Sequence, residues 1–111
     1  MAWAATYIKD PNAVLDYPYD WAAAEDQFGN PIKPWLEPGD IIVDATVTVS
    51  TFVDDPRPLY AETDPPNFTD TTTTVVLSGG TVGKSYLVTI HVRTFDGRED
   101  DRTILIRVRE R

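Results

Sequence analysis

The sequence predicts an all-β chain folded as a small antiparallel sandwich, and three observations predict it. Apolar and polar residues alternate at period two in several separate stretches, the signature of strands with one buried face. Glycine, proline and aspartate punctuate those stretches, as turns require. The 111 residues, 41% of them apolar, suit one modest core, since a domain of this size buries only about two-thirds of its unfolded surface.

The elements follow in chain order. Leu15, Tyr17, Tyr19 and Trp21 recur at period two, and Pro18 among them confines that strand to an edge, where a missing N–H costs no ladder bond. A short helix over Ala22–Gln27 is compatible with the sequence but too brief to stand alone. Gly39-Asp40 forms a turn into a long strand over residues 44–53, with Val47, Val49 and Val53 on one face and threonines on the other. Asp54 to Asp70 holds four prolines and four aspartates and reads as an exposed loop, with one short edge strand near Leu59. Thr73–Ser78 is a further strand, closed by Gly79-Gly80.

The C-terminal 28 residues form a hairpin. Tyr86, Val88, Ile90 and Val92 alternate with Leu87, Thr89, His91 and Arg93, and Asp96-Gly97 supplies a tight turn. Ile104, Ile106 and Val108 then alternate with Leu105, Arg107 and Arg109. This gives five or six strands: an irregular, aromatic- and proline-rich N-terminal arm over 1–38 with an edge strand, and a sandwich core over 39–111, together a single domain. Tyr86 at the start of the penultimate strand stands where immunoglobulin-like sandwiches place a tyrosine corner, which makes the expected layout immunoglobulin-like, without a Cys-Trp-Cys signature.

Ten basic against eighteen acidic residues give a net charge of −8, which argues against general binding to nucleic acid or anionic membranes. The charge is divided. Residues 1–83 carry three basic and thirteen acidic side chains, residues 84–111 seven and five, so the two parts attract each other within a fold or between copies. The chain has no cysteine, which excludes disulfides, thiolate metal sites and cysteine nucleophiles. Residues 1–8 lack the basic start and apolar run of a secretory signal, and no apolar run is long enough to span a membrane.

No catalytic constellation emerges. His91, the single histidine, faces outward on a strand with no second histidine to share a metal. Asp54, Asp55, Asp64, Asp70, Asp100 and Asp101 are oxygen ligands of the type calcium takes, yet they lack the spacing of a calcium loop, and solvated loop charge is the favoured reading. Gly79-Gly80-Thr81-Val82-Gly83-Lys84-Ser85 resembles a phosphate loop only superficially, because it runs into a strand rather than a helix. No metal, cofactor or catalytic residue is therefore expected. Trp3, Tyr7, Trp21 and Trp35 crowd the first third, where aromatics either cover the core or anchor a partner. Tyr19 and Trp21 are expected inside. Trp3, Tyr7 and Trp35, with Arg93, Arg107 and Arg109 on the outer face of the hairpin, are the partner-binding candidates.

Four segments carry a family resemblance: Lys9 to Tyr17 with Asp20-Trp21; Gly39-Asp40-Ile41-Ile42; Leu77 to Tyr86; and Gly97 to Thr103 with Ile106-Arg107-Val108. Together they resemble small tailed-bacteriophage virion proteins of the fibre-tail adaptor type, across most of the chain. The resemblance implies a β-sandwich and a non-enzymatic structural component of the virion, assembled in the host cytoplasm. It would attach fibres to the tail or neck through contacts with other virion proteins, in multiple copies or a symmetric ring. A longer Pro/Asp-rich stretch, Thr51 to Asp70, and an insertion between Trp21 and Gly39 depart from the family pattern. The rival readings are a capsid decoration or cement protein, and a carbohydrate-binding module using Trp3, Trp35 and Tyr60 as stacking platforms.

Overall fold

The computed structural model describes residues 4–25, 28–63 and 65–110, and every regular element in it is a strand. These are β1 (Ala5–Lys9), β2 (Leu15–Asp20), β3 (Ile42–Val49), β4 (Tyr60–Ala61), β5 (Asn67–Phe68), β6 (Thr72–Ser78), β7 (Ser85–Thr94) and β8 (Glu99–Val108). They form two sheets. One has the order β1-β8-β7-β3; the other has the order β2-β6-β4, with β5 also paired to β6.

The alternation seen in the sequence is the alternation of burial. Tyr86, Val88, Ile90 and Val92 of β7 and Ile104, Ile106 and Val108 of β8 are buried, and they face Tyr17, Trp21, Val75 and Leu77 of the second sheet and its flank. Burying each large side chain removes apolar surface from water and contributes about 1.5–3 kcal/mol. Trp21, only 1% exposed, keeps its indole N–H satisfied by donating to Thr73 Oγ1 at 3.0 Å. A threonine in the core thereby becomes an asset.

The hairpin closes as its turn residues dictate. Gly97 has φ 86°, Gly97 N–H donates to Thr94 O and Thr94 N–H to Arg98 O, both at 2.9 Å. That turn fixes the register, which runs from Arg93↔Glu99 to Ser85↔Arg107.

Four differences from the expectations have physical causes. First, the N-terminal segment supplies two strands where one was expected. Pro18 does place β2 at an edge, but β1 was missed; it lies parallel to β8, from Ala5↔Ile104 to Lys9↔Val108, so the first sheet is mixed. Its register is set by a strand about a hundred residues away, which no local pattern announces. Second, β3 ends at Val49 rather than reaching residue 53. Ser50 still bonds β7 through its N–H to Leu87 O, then the chain turns through Asp54 at φ 59°, leaving Val53 92% exposed. Third, the loop over 54–70 contains two short strands, β4 and β5, with β4 close to the edge strand expected near Leu59. Fourth, residues 22–25 are not helical; Asp26 and Gln27, the end of the expected helix, lie outside the described residues.

Candidate interaction surface

At one end of the sandwich, Tyr86 anchors the loop between β3 and β4. Its ring is fully buried, while its hydroxyl accepts the Thr81 N–H at 3.0 Å and donates to Asp55 Oδ2 at 2.6 Å. The Thr81 hydroxyl bonds the same carboxylate. Burial opposes ionisation of Asp55, but the Thr81 and Tyr86 hydroxyls, the Arg57 N–H and the nearby Lys84 outweigh it and hold its pKa below the usual carboxylate value. Tyr86, singled out in the sequence at the start of the penultimate strand, thus bonds the backbone five residues upstream.

Gly79 and Gly80 bring the next turn close against this loop. Both have positive φ, and a Cβ would stand 2.5 Å from Pro58 O at Gly79 and 2.6 Å from Val108 Cγ2 at Gly80. Beside them the buried Lys9 donates to Gly79 O at 2.7 Å and Asp10 O at 2.9 Å. Desolvation, with Arg57 nearby, lowers its pKa.

The opposite end is built from aromatics and guanidinium groups. Trp35 meets Trp21 edge-on at 5.3 Å, and Tyr19 meets Trp21 at 5.0 Å. Arg98 lies over Trp35 at 4.5 Å and Arg102 over Trp21 at 5.0 Å, an arrangement that attracts cation to ring face. Arg98 also donates to Trp35 O at 2.6 Å. Asp40 is buried here, and its Oδ1 accepts the N–H groups of Ile41 and Asp96 at 3.0 and 3.1 Å. A cleft beside it is lined by Ala22, Pro34, Leu36, Pro38, Asp40 and Thr71.

On the outer face of the hairpin, His91 bridges two carboxylates of β8. Nε2 contacts Glu99 Oε1 at 2.8 Å and Nδ1 contacts Asp101 Oδ1. Hydrogen bonds to Glu99 and Asp101 raise its pKa above 6.5. Sequence spacing did not single out this cluster, although the Asp96-Gly97 turn places His91 opposite Asp101 and that register was the available signal.

The partner candidates fall in separate places. Tyr7 is half-buried against Tyr17, with ring centroids 4.7 Å apart. Trp35 is half-buried in the aromatic cluster. Arg107 and Arg109 are exposed beside β1, where Arg107 is paired with Ile8 and the Arg109 N–H donates to Lys9 O. Arg93 lies towards the other end of β7, 3.8 Å from Asp44. Trp3 lies outside the described residues, as does Asp64. Trp35, near the Thr71 end of β6, and Tyr60, paired with Ser78 at its other end, do not form one stacking platform. Of the carboxylates considered for calcium, Asp55 is taken by hydroxyls, Asp100 by Arg102 at 2.7 Å and Asp101 by His91. Among the described residues no group of three His, Cys, Asp or Glu side chains is placed to hold a metal.

The geometry defines a small two-sheet β-sandwich whose polar side chains stabilise loops and strand faces. More particularly, a family model described as podophage GP4 fiber-tail adaptor protein gp77 matches residues 9–107, nearly the whole chain. The chain belongs to this family of phage fibre-tail adaptors and is a structural component of a bacteriophage virion. No curated protein matches it.

Proposed function

We propose that the chain joins fibres to the tail or neck of the particle by protein–protein contacts, without catalysis, in several copies arranged as a ring and assembled in the host cytoplasm. The observation that carries this is the family match over residues 9–107. The charge division supports it: a chain with an acidic front part and a basic hairpin suits heterologous contact, in which one patch meets a different one on the next copy. The contacting residues we assign are Trp3, Tyr7, Trp35, Arg93, Arg107 and Arg109, of which Arg93, Arg107 and Arg109 are exposed.

Quantitative mass spectrometry of purified particles tests the reading. A small copy number matching the tail symmetry is expected; a number comparable with the capsid subunit would assign a decoration role instead, and absence would overturn the virion assignment. At the residue scale, Arg107→Glu with Arg109→Glu is expected to reduce incorporation about tenfold or more, because rim charges steer association. Stability in urea should change by less than about 0.5 kcal/mol, as for surface substitutions in general. Unchanged incorporation would remove the charge argument.

A further inference from the structure

Sheet edges expose unpaired backbone groups, and natural proteins blunt them with prolines, charges, bulges or shortness. Three edges of this sandwich are blunted. Strand β2 carries Pro18; β4 and β5 have two residues each; β1 has five residues and turns the charged Lys9 inward. Strand β3 is different: eight residues, IVDATVTV, without proline, lysine or arginine. Its one irregularity lies at its start, between Ile42 and Asp44.

The ladder shows which groups are open. Ser50 N–H donates to Leu87 O, and the same register continues through Thr48↔Thr89 and Thr46↔His91, so these residues direct their backbone groups to β7. In an antiparallel pair the alternate residues direct theirs the other way, here Ala45, Val47 and Val49. Asp44 Oδ1 accepts the Ala45 N–H at 3.0 Å. Among the described residues, no hydrogen bond joins the outward backbone groups of Val47 or Val49 to another segment.

We infer that this edge receives an extended, basic segment of another virion protein, added as a fifth strand beyond β3. Backbone bonds to Val47 and Val49 would supply affinity, and the segment's inward residues would cover those two half-buried valines. Charge selects the occupant. Residues 34–83, which supply β3 to β6, contain eight acidic side chains and one basic one, and that one, Arg57, is bonded to Asn12 at 2.9 Å. Asp44, the charged side chain of β3, lies 3.8 Å from Arg93 of β7, and pairing β3 with β3 of a second copy would bring two acidic 34–83 segments together, a like-charge juxtaposition that opposes association. Lysine or arginine on an incoming strand is complementary. The inference rests on the adaptor reading only in locating the partner within the particle.

Amide exchange of the chain in purified tails, compared with the free chain, tests it. The Val47 and Val49 amides are expected to exchange about tenfold or more slowly in the tail, the protection that strand pairing confers. Val47→Pro removes an N–H that β7 does not use, and it should abolish that protection while Val47→Ala retains it. Thr46→Lys with Thr48→Lys alters only exposed side chains, keeps the test open if the proline chain does not fold, and is expected to reduce incorporation about tenfold. Unchanged exchange in a chain present in the tail overturns the edge pairing and leaves the adaptor reading standing; absence of the chain from tails overturns both. Slowed exchange in the concentrated purified chain alone would make the occupant a second copy and overturn the basic partner segment.

Discussion

Tyr86 joins three segments through one hydroxyl, and each bond has a measurable consequence. Tyr86→Phe leaves the ring's packing in place but strands the Thr81 N–H and removes a donor to Asp55, so a loss of about 1–2 kcal/mol is expected in urea unfolding. Asp55 is held below its ordinary pKa, so its contribution is present above the carboxylate range and disappears as pH falls through the folded value. His91 has the opposite sign. Its folded pKa is raised by Glu99 and Asp101, so its contribution is complete below 6.5 and is lost as pH rises through the higher folded value. The imidazole NMR titration is expected to show a midpoint above 6.5 that returns towards the ordinary value in Glu99→Gln with Asp101→Asn. The tyrosine's position was legible because a tyrosine after a glycine turn at a strand start is a local pattern. Its carboxylate partner, 31 positions away in sequence, was not.

At the scale of the element, the β7–β8 hairpin was the most legible part, since alternation and an Asp-Gly turn fix both strands and register from adjacent residues. Strand β3 was read too long, because alternation continues through Val53 although the chain leaves β7 after Ser50 and turns at Asp54. The glycine turns separate two costs that sequence alone merges. Gly97 has φ 86° with open space where a Cβ would go, whereas at Gly80 a Cβ meets Val108 at 2.6 Å. Gly97→Ala is therefore expected to cost about 1–2 kcal/mol, the left-handed backbone penalty alone. Gly80→Ala is expected to cost more, because steric displacement of the Val108 side chain adds to the same penalty. Parallel urea titrations of the two variants measure the difference, and equal losses would refute the close-approach account.

Across the whole molecule, the first strand pairs with the last, Ala5 with Ile104, and neither sheet can be completed from neighbouring residues alone. Such non-local topology makes loop closure the slow step, so refolding is expected over about milliseconds to seconds. Stopped-flow fluorescence, with the buried Trp21 a principal reporter, checks this; recovery within microseconds would contradict it. The same topology separates the two proposed contact surfaces: Arg107 and Arg109 flank the β1 side of the first sheet, and β3 ends its other side. An assembly defect confined to the arginine variants would place the contact on the β1 side, and one confined to β3 variants would place it on the open edge.

The all-β class, the hairpin, the edge placement of the proline-bearing strand and the core faces of β7 and β8 were readable from the amino-acid sequence, because each follows from period-two alternation or turn chemistry within a few residues. It also carried the family resemblance, through segments distributed over most of the chain. Tertiary structure alone decided the parallel seating of β1, the burial of Lys9, the cations over Trp21 and Trp35, the carboxylate bridge on His91 and the openness of the β3 edge. Each of these depends on which distant segments meet. Local periodicity states which face of a strand is buried, but the strand beside it is selected by the packing of the whole core.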